Sequence, residues 1–122
     1  MHAWLSRLRH DLVKRAVWAA RDLRDTPREP AQGDLLQLRR GLFDLRDDDG
    51  RVSTATSLWE RLRAEAPPLP PAALDAFGAA VQRAEQAVSG LAGDPRSWPA
   101  VLDAVLRIEQ AFADLARTLE EE

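Results

Sequence analysis

The chain is organised around residues 3–25, which read AWLSRLRHDLVKRAVWAARDLRD. At about 100° per residue of α-helix, one set of apolar side chains falls on a single side of this stretch. The set comprises Leu5, Leu8, Leu12, Ala16, Ala19 and Leu23. Such a stripe faces a hydrophobic core, so we predict a first helix over residues 3–25. It is expected to end before Pro27, because the residue that precedes a proline disfavours the α region.

His10 lies on the opposite side of this predicted helix, roughly 180° from the apolar stripe. Arg7, Lys14 and Arg21 fall beside it and make that side basic. Packing against a core does not explain a histidine that points away from the core. The sequence therefore singles out the basic side of the first helix as a candidate functional surface.

Composition indicates one globular domain over residues 1–122, with 45% hydrophobic and 30% charged residues. The chain has no cysteine, which excludes disulfides, thiol catalysis and cysteine metal sites. No apolar run approaches the roughly 18–20 residues that span a bilayer. Arg7 and Arg9 stand where a signal peptide needs its apolar stretch. We therefore expect a cytoplasmic protein with no membrane segment.

Charge is unevenly distributed along the chain. The net charge is −3, but residues 1–25 carry six basic and three acidic side chains, whereas residues 67–122 carry four basic and nine acidic ones. Either the basic first helix packs across acidic helices of the same fold, or it meets an acidic or phosphorylated partner. The acidity of the whole protein argues against nucleic-acid binding, which requires a concentrated basic face.

Apolar residues at three- and four-residue spacing predict four more helices downstream. These cover residues 34–46, 54–65, 71–92 and 98–119. Side chains that suit N-caps precede three of them, namely Asp34, Ser53 or Thr54, and Asp94 or Ser97. The last two helices carry regular apolar seams of the heptad type. Pro67–Pro71 is expected to be an extended connector between the third and fourth helices.

Five helices without a strand signal predict an all-α fold, an antiparallel four-helix bundle in which the two short helices share one side or stack as one bent member. Gly41 either weakens the second helix or lets a neighbour approach closely. Val17 and Trp18 fall outside the apolar stripe, so a neighbouring helix covers them or they form an exposed docking patch. A homodimer through the seams of the last two helices is an alternative arrangement.

The surroundings of His10 suit a phosphoryl-accepting histidine. That role needs an exposed imidazole with one nitrogen free to attack, a nearby cation and a rigid helix that a partner can approach. Lys14, four residues on, lies on the same side of the helix and is the one lysine of the chain, beside sixteen arginines. Arg7, three residues before His10, adds a second cation. The plain alternative is a histidine on a solvated face.

The stretch Leu8-Arg9-His10-Asp11-Leu12 resembles the phosphoacceptor helix of RHD-type sensor histidine kinases and related histidine phosphotransferases. The resemblance implies that His10 exchanges a phosphoryl group with the aspartate of a response-regulator receiver. It covers these five residues, and Lys14 stands where that family has an asparagine. The sequence has no glycine-rich phosphate loop, so the resemblance implies a relay protein or a non-catalytic partner rather than a kinase.

The turn at residues 47–50 partly matches a calcium-binding loop. Such a loop needs an acid at its first position and a glutamate at its last, and Leu45 and Thr56 occupy those places. We interpret the turn as the end of the second helix. His2 and His10 are too far apart in sequence for a helical pair of metal ligands, so we expect neither a metal nor a cofactor.

The sequence therefore favours a small helical interaction or regulatory module without catalytic activity. It would bind a protein partner through Trp18 and the basic side of the first helix. Phosphotransfer through His10, with Lys14, Arg7 and Arg21 holding the phosphate or the partner, is the alternative function. A homodimeric scaffold is the second alternative.

Overall fold

The computed structural model describes residues 2–25, 29–46 and 49–121. Within these ranges the regular secondary structure is helical apart from one short pair of strands, which confirms the predicted all-α class. The helical segments are α1 (Ala3–Leu8), a π-helical turn (Arg9–Val13), α2 (Lys14–Asp25), α3 (Gln32–Phe43), α4 (Ala55–Ala64), α5 (Pro71–Gly90), a 3-10 turn (Pro95–Ser97) and α6 (Trp98–Glu121). None of them is long and apolar enough to cross a lipid bilayer.

The second predicted helix is displaced towards the N-terminus. We expected it over residues 34–46 with Asp34 as its N-cap, but α3 begins at Gln32. Asp34 occupies the third position of the helix, where its carboxylate accepts a hydrogen bond of 2.9 Å from the backbone N–H of Ala31. An acid at this position suits the helix N-terminus as well as a cap does, because it satisfies a backbone donor that has no partner within the helix.

A strand pair follows α3, and here the expectation of a chain without strands was wrong. The strands β1 (Leu45–Arg46) and β2 (Val52–Ser53) pair antiparallel, with Leu45 opposite Ser53. Gly50 between them has a φ of 78°, a conformation that glycine adopts without steric cost. The side chain of Arg46 donates a hydrogen bond of 3.0 Å to the carbonyl oxygen of Gly50. The hairpin, and not an extension of α3, places the side chain of Leu45 in the core.

The starts of the later helices are partly as predicted. Thr54 is the N-cap of α4, and its hydroxyl oxygen accepts a hydrogen bond of 3.1 Å from the backbone N–H of Ser57. The expected side-chain cap of α6 by Asp94 or Ser97 is not formed. Instead the hydroxyl of Ser97 donates to the carbonyl oxygen of Asp94 at 2.7 Å, inside the 3-10 turn that leads into α6.

The helices share one core of buried apolar side chains. Helix α6 packs along α5 and also against α2, while α3 packs against α2 and α4 packs against α5. The predicted seams of the last two helices lie inside this core, with Phe77, Val81, Val105 and Ile108 among its fully buried members. These seams are therefore occupied within the chain, and a homodimer would have to use another surface. The antiparallel four-helix arrangement stays a prediction.

An aromatic cluster joins the N-terminal end of the first helix to this core. The indole N–H of Trp4 donates a hydrogen bond of 2.8 Å to the carbonyl oxygen of Leu62, near the end of α4. The ring of Trp4 lies 6.1 Å from that of Trp59, which in turn lies 4.6 Å from that of Phe77. Tilted ring pairs at such distances are favourable beyond the area that they bury. The cluster fixes α1 against α4 and α5.

Gly41 marks the closest approach between α3 and α2. A Cβ atom at this position would lie 2.8 Å from the carbonyl oxygen of Arg15 and 3.4 Å from the Cα of Ala16. Both atoms belong to the backbone of α2 and cannot move without moving the helix. Of the two interpretations of Gly41 from the sequence, the structure therefore supports close helix approach.

We expect Gly41→Ala to lower the free energy of unfolding by about 1–3 kcal/mol, because the added methyl group overpacks the contact with α2. The better helix propensity of alanine, about 1 kcal/mol, offsets only part of this cost. Urea denaturation measures the change. Gly33→Ala is the matched control in the same helix, since nothing lies within 4 Å of its Cβ position. Equal stabilities for the two variants would contradict the close approach.

Candidate functional site

His10 lies in a π-helical turn, which the sequence analysis did not anticipate. The turn covers Arg9–Val13, and the backbone N–H of Lys14 donates to the carbonyl oxygen of Arg9, five residues earlier. A π-turn holds one residue more than an α-turn, so the residues that follow it are rotated about the helix axis by roughly one residue step. The sequence carries no local signal for such a turn, because it places no proline or glycine there.

The rotation decides which side chains of the first helix enter the core. On a regular wheel Val17 falls outside the apolar stripe, yet it is only 3% exposed in the structure. Val13 and Ala20 are buried in the same way. Trp18, by contrast, is 63% exposed. The two alternatives from the sequence thus apply to different residues: neighbouring helices cover Val17, and Trp18 is exposed.

His10, Lys14 and Trp18 are exposed at four-residue intervals and form what we call the His10–Trp18 ridge. A cavity of about 540 Å³ runs along one side of the ridge, towards α6, and we call it the α6 groove. A cavity of about 370 Å³ lies on the other side, towards α3, and we call it the α3 groove. All three ridge residues line both grooves. The structure therefore brings together three of the predicted site residues.

The α6 groove combines an apolar floor with charged walls. Val13 and Val17 of the first helix and Phe112 of α6 line it, and all three are buried by the fold. Arg9 and Arg21 add positive charge to the wall on the side of the ridge. Such a groove can accept apolar side chains at its floor and acidic groups at its rim.

The α3 groove has the same charge balance as the α6 groove, with three basic side chains and one acidic one in its lining. Lys14 and Arg15 approach it from α2 and Arg40 from α3, with Asp44 as its acidic residue. Gly41 also lines this groove, because the absence of a side chain there lets the two helices meet at its base.

Arg7 is not where the regular helical wheel placed it. Its guanidinium group contacts the carboxylate of Glu65 just beyond α4 and lies 3.7 Å from that of Asp11. It lines neither groove. The wheel assigned Arg7 to the same side as His10, but the carboxylate of Glu65 draws its side chain towards α4. Arg21 does line the α6 groove, and there it forms an ion pair with Glu109.

Three basic residues of the grooves were missed at the sequence level. On a regular wheel Arg9 and Arg15 fall near the edges of the apolar stripe rather than beside His10. Arg40 belongs to another helix, so no pattern within the first helix could indicate it. Among the described residues, Arg9, Lys14, Arg15 and Arg40 take part in no ion pair, although the chain has an excess of acids.

The described ranges contain no group of three or more side chains that could hold a metal ion. Asp47 and Asp48, which belong to the pattern that partly matches a calcium loop, lie outside the described residues. Nothing further follows for that turn.

No protein-family model, curated protein or solved structure matches the chain. The resemblance to phosphoacceptor helices therefore depends on residues 8–12 alone. Inferences about function must start from the ridge and its two grooves.

We expect Arg21→Gln to change the free energy of unfolding by less than about 1 kcal/mol, because exposed ion pairs contribute little to stability. The side chains of Arg21 and Glu109 are 47% and 45% exposed. Phe112→Ala is the contrasting variant, in the apolar floor of the same groove, with an expected cost of about 3–5 kcal/mol. Urea denaturation compares them. A cost for Arg21→Gln as large as that for Phe112→Ala would show that the pair holds the fold together.

Proposed function

We propose that the protein is a helical interaction module of the cytoplasm, without catalytic activity of its own, which binds a protein partner through the His10–Trp18 ridge. The observation that carries this proposal is the 63% exposure of Trp18 on a ridge with a groove on either side. The other tryptophans support the contrast, since Trp4 and Trp59 are buried and Trp98 is half-buried.

Exposure of an indole ring leaves a large apolar surface in water, and covering that surface with another molecule is favourable. Tryptophan is enriched among the residues that dominate binding energy at protein interfaces, where charged and polar residues surround it. Trp18 has such surroundings, because Lys14, Arg15 and Arg21 line the same grooves. Leu36 and Val52 are also exposed, but neither lies on the ridge.

The test places a photo-crosslinking amino acid at position 18 or, as a control, at position 52 in the β-hairpin. Crosslinks from position 18 alone identify the partner, whose affinity is then measured by calorimetry. We expect Trp18→Ala to weaken binding at least tenfold, the loss of about 1.4 kcal/mol or more that a dominant interface residue gives. Val52→Ala should leave the affinity unchanged. A protein that is strictly monomeric and keeps every interaction as Trp18→Ala would contradict the proposal.

Phosphotransfer through His10 is the second candidate, and the exposure of the imidazole favours it. In this reaction an imidazole nitrogen attacks the phosphorus of an acyl phosphate, the bond from phosphorus to the acyl oxygen breaks, and the carboxylate leaves. Lys14 lines both grooves with His10, so its ammonium group is available to hold the phosphoryl oxygens.

We expect acetyl phosphate or a phosphorylated receiver domain to give an acid-labile label on the wild-type protein that His10→Gln abolishes. His2→Gln is the matched control, because the Nδ1 of His2 already accepts a hydrogen bond of 3.0 Å from the backbone N–H of Trp4. Lys14→Gln should slow labelling about tenfold, the effect of losing one charge-assisted hydrogen bond. Absence of label from several receivers would exclude this candidate.

A further inference from the structure

We infer that the binding element of the partner is an amphipathic helix with acidic side chains beside an apolar stripe, and that it lies along the α6 groove. The inference depends on the proposed function, since it takes the ridge as an interaction surface. It goes further by assigning one of the two grooves and the chemistry of the occupant.

The charge of the groove lining favours an acidic occupant. Five basic and two acidic side chains line the two grooves, whereas the whole chain has a net charge of −3. This surface is therefore positive on a protein that is otherwise strongly acidic. Arg9 and Lys14 have no carboxylate partner among the described residues, so their guanidinium and ammonium groups are available to acids of another molecule. Complementary charge of this kind speeds association and selects acidic partners.

The apolar floor of the α6 groove favours an occupant that also carries apolar side chains. Val13, Val17 and Phe112 line it, and the indole of Trp18 stands at its edge on the ridge. The fold already buries the first three, so the exposed indole of Trp18 is the apolar surface that a polar strand or a bare anion would leave uncovered. An occupant that matches the groove needs apolar side chains on one side and acids on the other.

The length and shape of the α6 groove fit a helix. Along the first helix the groove extends from Ser6 to Arg21, a distance of about 22 Å at 1.5 Å per residue. The first helix, from α1 through α2, and helix α6 form its two walls, and a third helix fits between two packed helices by the usual rules of ridges and grooves. A helix of about 15 residues spans it and presents apolar anchors at three- and four-residue intervals.

Among the described residues, no acidic helix has an exposed apolar stripe with which a second copy of this chain could fill the groove. The most acidic helices, α5 and α6, keep their apolar stripes inside their own core, with Val81 and Ile108 fully buried. The stripe of α4 is buried in the same way, at Leu58, Trp59 and Leu62. We therefore assign the groove to a different protein rather than to self-association.

The experiment titrates the full chain against three labelled 15-residue peptides and follows fluorescence anisotropy. The first peptide is a helix with leucines at three- and four-residue spacing and glutamates beside them. The second has the same leucines with lysine for every glutamate, and the third has the composition of the first in an order that destroys the periodicity. We expect the first to bind at least tenfold more tightly than the other two, and to weaken as salt increases.

Variants of the protein then identify the groove. Arg9 lines only the α6 groove and Arg40 only the α3 groove, so the two arginines form a matched pair. We expect Arg9→Glu to weaken binding of the acidic helix at least threefold more than Arg40→Glu does. Trp18→Ala should weaken it about tenfold, and Val52→Ala should have no effect. Circular dichroism confirms that each variant is folded.

Three results would overturn the inference. Equal binding of the lysine peptide or of the aperiodic peptide would remove the acidic helix as the occupant. If Arg40→Glu weakened binding more than Arg9→Glu did, the occupant would lie in the α3 groove and not in the α6 groove. Light scattering that shows a dimer, which the acidic peptide dissociates, would give the groove to a second copy.

The failure of this inference differs from the failure of the proposed function. If position 18 crosslinks to a partner while no acidic helix binds, the ridge is an interaction surface and the assigned occupant is wrong. If Trp18→Ala leaves the affinity for that partner unchanged, the proposed function itself is wrong.

Discussion

The backbone hydrogen bond from Lys14 to Arg9 is the constraint on which the described surface depends. It closes a turn with one extra residue and changes the phase of the first helix halfway along its length. Without it, residues at positions 10, 14 and 18 would drift by about 40° at each step, since four residues of a regular helix make slightly more than one turn. The extra residue brings Trp18 back towards the line of His10. The ridge and the packing of the first helix therefore depend on one local irregularity.

The first helix makes a close contact on each side of the irregular turn. Before the turn, Trp4 is fixed by the carbonyl oxygen of Leu62 and by the ring of Trp59. After the turn, the backbone of Arg15 lies against α3 at a distance that only Gly41 allows. The turn shifts the phase of the helix between these two contacts, and Val17 and Ala20 are buried after it. The ridge therefore projects from a helix that is held on both sides of the turn.

The sequence could predict what depends on repetition within one helix. The seams of α5 and α6 repeat over many turns, so a single period identifies both the helices and their buried faces. The start of α3 was harder to predict, because an aspartate such as Asp34 suits the third position of a helix as well as its N-cap. The hairpin at Leu45 requires a partner strand that helical periodicity does not detect. Where the period itself changes, at residues 9–13, extrapolation of the regular wheel misplaced Val17.

The candidate site was predictable in its centre and not at its edges. His10 and Lys14 lie four residues apart on one helix, so any helical wheel groups them. Arg40 enters from a different helix, and only tertiary packing brings it to the groove. Arg7 does not line the site, because its guanidinium group pairs with the carboxylate of Glu65 just beyond α4. Side chains are placed by partners distant in sequence, which a wheel of one helix does not contain.

The charge imbalance of the chain allowed two explanations, and the ion pairs support packing of the basic helix against acids of the same fold for part of the first helix. Arg7 and Arg21 pair with acids from later in the chain, Glu65 just beyond α4 and Glu109 in α6, as a basic helix packed across acidic segments should. The basic residues between them, which line the two grooves, find no such acids among the described residues. Exposed ion pairs add little to stability, so folding alone does not require a concentration of unpaired cations around one exposed tryptophan. That excess is the part of the charge pattern that an acidic partner would explain.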